Sequence, residues 1–85
     1  MIILYADEFS KQFFKLPKET QSVFRRQEII FRKNWRDSRL HTKKLHGHSV
    51  LFSFRVTRNY RVLFQFVSEN KVLFATIGNR KDIYR

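Results

Sequence analysis

Ile2-Ile3-Leu4-Tyr5 is a short apolar, β-prone run that ends at Ala6-Asp7, which predicts one buried strand followed by a helix start that Asp7 can cap. Phe9, Phe13 and Leu16 then recur at i, i+4 and i+7, with Lys11, Gln12 and Lys15 facing elsewhere, the spacing of an amphipathic helix. Pro17 stops it. Beyond Lys18-Glu19-Thr20, an apolar stripe of Val23, Phe24, Ile30, Phe31 and Trp35 runs beside Arg25, Arg26, Arg32, Lys33 and Arg36. The two helices should form a hairpin.

From Asp37 to Ser49 the periodicity breaks, and polar residues, three histidines and Gly47 predict a loop or irregular segment. Everything after it alternates. Phe52, Phe54 and Val56 interleave with Leu51, Ser53 and Arg55, and Tyr60, Val62, Phe64 and Phe66 with Arg61, Leu63 and Gln65. A turn falls near Arg58-Asn59, a second at Ser68-Glu69-Asn70, and a last strand covers Val72 to Ile77. The predicted class is α+β: an N-terminal strand, a two-helix hairpin and a three-stranded antiparallel meander (β-α-α-β-β-β), with the helices on one face of the sheet. Phe52, Phe54, Tyr60, Val62 and Phe64 should lie under the helices, and Arg55 and Arg61 on the opposite, open face.

At 85 residues the chain has material for one core, so residues 1–85 read as a single domain. Ten phenylalanines make that core strongly aromatic. Cysteine is absent, which removes disulfides and thiolate metal sites. No apolar run approaches the roughly 20 residues that span a bilayer, and the N-terminus lacks a basic leader region, so a cytoplasmic protein without membrane contact is expected.

Charge narrows the function. Eighteen Lys and Arg against seven Asp and Glu give +11, an excess that favours a polyanionic partner such as RNA or the ribosome. A membrane surface or an acidic protein partner is the plainer alternative. His41, His46 and His48 lack the spacing of a metal site, no glycine-rich phosphate loop exists, and no serine sits in a nucleophile elbow. No metal or cofactor is therefore expected. What remains is a concentration of Lys43, Lys44, His46, His48, Arg55, Arg58, Arg61, Arg80, Lys81, Tyr84 and Arg85. Clustered guanidinium groups hold phosphate and offset the charge that builds on a phosphorane, so an arginine-rich open sheet can support attack of a ribose 2′-OH on its own phosphate. The plainer reading makes Arg61 an ordinary ion-paired strand residue and Tyr84 an aromatic at the edge of the core.

Three stretches carry a resemblance: Leu40-His41-Thr42-Lys43-Lys44-Leu45-His46-Gly47, Phe54-Arg55-Val56-Thr57-Arg58-Asn59-Tyr60-Arg61-Val62-Leu63-Phe64, and Ile77-Gly78-Asn79-Arg80-Lys81-Asp82-Ile83-Tyr84-Arg85. In this order and spacing the chain resembles toxins of the RelE/ParE superfamily. The resemblance implies a compact sheet with two N-terminal helices. It also implies a partner antitoxin and, in the RelE branch, metal-independent cleavage of mRNA in the ribosomal A site.

By position, Arg61 matches the family's phosphate-binding arginine, Arg80 the arginine that assists the leaving group, and Tyr84 the tyrosine that stacks on the base or moves a proton. Arg55 resembles the further strand arginine beside them. Lys43, Lys44, His46, Arg58, Lys81 and Arg85 are the expected RNA contacts. Some RelE enzymes carry strand lysines where this chain has Leu51 and Ser53, so the group that activates the 2′-OH is open, with the histidines as candidates. The implied partners are an antitoxin with an acidic, partly helical segment, the ribosome and mRNA, and operator DNA only through the antitoxin. The alternatives are a ParE-like inhibitor of DNA gyrase and a catalytically degenerate RNA-binding member.

Overall fold

The computed structural model of the protein describes residues 1–47 and 50–83. Along the chain run β1 (Ile2–Tyr5), α1 (Asp7–Phe14), α2 (Lys18–Lys33), a 3-10 turn (Ser38–Leu40), β2 (Lys43–Lys44), β3 (Leu51–Arg55), β4 (Tyr60–Ser68) and β5 (Lys71–Asn79). The α+β order holds, with β2 as an addition. The sheet order is β1-β5-β4-β3-β2, antiparallel except that β1 runs parallel to β5. A parallel pair needs a crossover rather than a tight turn, and the helical hairpin supplies part of it.

Two local expectations at the N-terminus are corrected. β1 is an edge strand that buries only Ile3, while Ile2, Leu4 and Tyr5 stay exposed, because its outer side has no neighbouring strand. Asp7 does not cap α1. Ala6 holds the N-cap position without a side-chain bond, and Asp7 and Glu8 occupy the first turn, where the helix dipole favours acids.

Of the segment expected to be a loop or irregular, residues 37–47 carry a 3-10 turn and the short strand β2. Leu40 is fully buried. The Asp37 side chain accepts a hydrogen bond from the Arg39 amide at 2.9 Å, capping the 3-10 turn, and the Thr42 hydroxyl donates to the Trp35 carbonyl at 2.7 Å. These ties deliver Lys43 and Lys44 to the edge of β3, opposite Ser53 and Phe52. A single buried leucine has no period, which is why the pattern of the sequence does not reveal it.

The core is a web of rings between the helices and the sheet. Phe31 of α2 lies 5.1, 5.0 and 5.2 Å from Phe54, Phe64 and Phe74, on three neighbouring strands. Phe9 and Phe13 of α1 meet Phe24 of α2 at 5.4 and 5.2 Å. Each phenylalanine fully buried this way contributes about 1.5–3 kcal/mol of transfer free energy. In β5 a register shift skips Ala75, so that Phe74 and Ile77, three residues apart, both point under the helices instead of to opposite faces.

Candidate functional site

On the face of the sheet away from the helices, the register places Arg55 of β3 directly opposite Arg61 of β4, and Arg61 opposite Gly78 of β5. The turn between β3 and β4 is closed by the Val56 amide donating to the Tyr60 carbonyl at 2.9 Å and by Thr57 Oγ1 accepting from the Asn59 and Tyr60 amides. Arg61 reaches back over this turn. Its Nη1 donates to the carbonyls of Thr57, Arg58 and Tyr60 at 2.9, 3.0 and 3.2 Å, and the residue is 8% exposed. Arg61 is thus not a plain surface residue but a buried one whose guanidinium bonds backbone oxygens of the turn.

Arg55 is half-buried, and its Nε is fully buried with no hydrogen-bond partner. Its carbonyl accepts from Gln27 Nε2 at 2.9 Å, and the same nitrogen lies 3.4 Å from the Arg39 carbonyl, so α2 fixes both the end of β3 and the 3-10 turn. Nothing in the pattern of the sequence singles out Gln27.

Beyond β5 the chain folds back toward the same end. The Arg80 amide donates to the Asn59 carbonyl at 2.8 Å, and Asn79 organises the following turn: its Oδ1 accepts from the Lys81 amide and its carbonyl from the amides of Asp82 and Ile83. Arg80, Lys81 and Arg58 are exposed there, beside Arg55 and Arg61. The Ile83 side chain packs over Gly78, its Cδ1 3.9 Å from where a Cβ would stand, an ordinary contact distance. Among the described residues, no carboxylate comes within ion-pair distance of Arg55, Arg58 or Arg80. The ion pairs found are Arg25–Glu28 and Arg39–Asp37. In the second, the Arg39 guanidinium, bonded to both carboxylate oxygens, holds Asp37 down to about 2, and Asp37 in turn raises Arg39.

The remaining expected contacts divide. Lys43 shares the open face with Ser53, two residues along from Arg55, whereas Lys44 pairs with Phe52 on the helix side. Leu45 bonds the Leu51 carbonyl, so His46 lies past the start of β3, at the far end of that strand from Arg55. At about 3.3 Å per residue the separation exceeds 13 Å, which sets His46 apart from the arginines. His41, at the end of the 3-10 turn in the left-handed region (φ 48°), is carried toward the Arg55 end by the Gln27 bridge. His48, Tyr84 and Arg85 lie outside the described residues.

Comparison with solved structures decides the fold family. The RelE chain of the RelB–RelE antitoxin–toxin complex of Methanococcus jannaschii superposes with a TM-score of 0.77 over 95% of this chain and 94% of that one, at 23% identity. The fold is that of the RelE-like toxins. YafQ of E. coli strain BL21(DE3) aligns over 98% of this chain and 97% of its own, with a TM-score of 0.79 and 12% identity. The intact E. coli RelBE toxin–antitoxin complex matches over 92% and 94%, with a TM-score of 0.72 and 16% identity. No family model and no curated protein matches the sequence. Within this RelE-like fold Arg55, Arg61 and the Arg80 backbone meet at the β3–β4 turn, on the side of the sheet away from the helices, where Arg61, Ser53 and Leu63 are buried.

Proposed function

We propose that this chain is the toxin of a type II toxin–antitoxin pair and that it cleaves mRNA on the ribosome in the cytoplasm. The observation that carries the reading is the pairing of Arg55 with Arg61 across β3 and β4, with an unpartnered buried Nε on Arg55 and Arg80 tied to the same turn. Two guanidinium groups opposite each other on neighbouring strands, one of them with a donor that has no partner, form a site suited to an anion. A phosphodiester supplies that anion.

In the proposed reaction the ribose 2′-oxygen attacks the adjacent phosphorus and loses its proton. The bond from phosphorus to the 5′-oxygen breaks, and that oxygen takes up a proton. A 2′,3′-cyclic phosphate and a 5′-hydroxyl result. Arg55 and Arg61 offset the charge that grows on the phosphorane, and Arg80 attends the leaving oxygen. Tyr84 stacks on the base or moves a proton, as the resemblance implies. Lys43 stands above Ser53 from the neighbouring strand, so it places a cation where the β3 sequence has none. Arg58, Lys81 and Arg85 hold flanking phosphates. No metal or cofactor takes part.

A domain of charge +11 with such activity needs restraint, and we propose an antitoxin whose acidic, partly helical segment folds onto the arginine face. Operator DNA would be contacted through that antitoxin. The test is mapping of mRNA 5′ ends after brief induction of the wild type and of Arg80→Ala. New cuts inside translated frames that vanish in the variant are the expected result. Toxicity with intact mRNA would transfer the reading to inhibition of a target such as DNA gyrase, and absence of toxicity to an inactive RNA binder.

A further inference from the structure

A second cationic feature lies on the other side of the β2–β3 edge. Trp35, Arg36, Thr42, Lys43, Lys44 and Phe52 line an open groove just past the C-terminal end of α2. The indole is held edge-on by Phe52, Phe64 and Phe66 at 5.7, 6.3 and 5.0 Å. The Arg36 guanidinium lies over it at 4.6 Å, and the Arg36 amide is fixed by Asn34 Oδ1 at 3.1 Å. A planar cation is therefore braced on one side by a ring packed against three phenylalanines, while Arg36 as a whole remains exposed.

The groove holds three cations and no acid. Asp37, the next residue along, is engaged by Arg39 through both oxygens. Among the described residues, Arg36, Lys43 and Lys44 have no ion-pair partner. An unneutralised cluster next to a supported guanidinium–indole stack has the two elements that single-stranded RNA needs: cations for the phosphates and a flat π surface for a base. An acidic peptide satisfies only the first. We propose that this groove is a nucleobase-stacking subsite for single-stranded RNA, joined to the arginine cluster through Lys43, which faces the open side of the sheet beside Ser53. The inference deepens the RNA reading above and can fail separately from it.

Trp35 is the sole tryptophan of the chain, so its emission reports occupation of the groove. The full chain is titrated with a 2′-O-methyl oligoribonucleotide, which cannot be cleaved, with an abasic phosphodiester of equal length, and with polyglutamate. Quenching by the oligoribonucleotide alone is expected. Replacing Arg36 and Lys44 together by Gln, both at exposed positions, should weaken binding about tenfold and lower the slope of log affinity against log salt by about 1.4, two phosphate contacts at ~0.7 each. Equal quenching by the abasic strand would reduce the groove to nonspecific electrostatics, preferential quenching by polyglutamate would make it a peptide surface, and no quenching would refute it. Cuts in mRNA without quenching overturn this inference alone, and quenching without cuts overturns only the cleavage reading.

Discussion

Arg55 and Arg61 face each other across β3 and β4, and they differ in how their guanidinium groups are held: Arg61 bonds three turn carbonyls, whereas Arg55 keeps a buried Nε without a partner. A bound anion would offer the Arg55 guanidinium the partner it lacks. Inorganic phosphate should therefore raise the melting temperature, with stabilisation reaching about 2.7 kcal/mol at a hundredfold excess over Kd. Arg55→Leu should remove most of that gain. Calorimetry across a phosphate series checks it, and an equal response in the variant would remove Arg55 from the anion site.

Of the three arginines assigned to cleavage, Arg61 and Arg80 should separate in stability. Arg61→Ala deletes charge-assisted bonds to the β3–β4 turn and should cost about 1.5–3 kcal/mol. Arg80 is exposed and is held through its backbone amide, which alanine retains, so Arg80→Ala should stay within about 0.5 kcal/mol of the parent. Urea unfolding of both variants measures this. For that reason Arg80→Ala is the cleaner probe of activity.

Phe31 joins α2 to three strands at once, so Phe31→Ala should cost about 3–5 kcal/mol, a large part of the stability of a domain this small. Phe14, 70% exposed, should tolerate serine with a change within about 0.5 kcal/mol. Comparable losses at both positions in thermal melts would contradict the described core.

The Tyr5 hydroxyl donates to the buried carboxylate of Glu28, and burial, reinforced by that carboxylate, raises Tyr5 above its ordinary value of 10.0. A folded-state value above the unfolded one means that the stabilisation is fully present below about pH 10 and disappears as pH rises through the folded value. Tyr5→Phe should flatten the alkaline loss of stability and, at neutral pH, cost about 1–2 kcal/mol because Glu28 loses a donor. Absorbance titration of phenolate, with and without the substitution, together with unfolding at several alkaline pH values, is the check.

Much of this architecture is legible in the chain. The strand alternation from Leu51 to Ile77 assigns Phe52, Phe54, Val62 and Phe64 to the helix side and Arg55 and Arg61 to the other, because a period of two leaves no third choice. What escaped depends on isolated residues. Leu40 and Gln27 act singly, without a repeating neighbour, yet one anchors the segment before β2 and the other holds the Arg55 carbonyl. Glu28 is buried inside an apolar stripe because Tyr5, 23 residues earlier, arrives on β1 to meet it.

The sequence by itself determined the class of elements, the aromatic character of the core, the cationic surface and which face the strand arginines take. All of these follow from periodicity and charge, which are local. Tertiary structure decided that Arg61 is buried against the turn, that Lys43 and Lys44 go to opposite faces, that Arg80 returns to the β3–β4 turn, and that Trp35 carries Arg36 over its ring. Those relationships arise when strand register and aromatic packing bring distant segments together, so no local pattern encodes them.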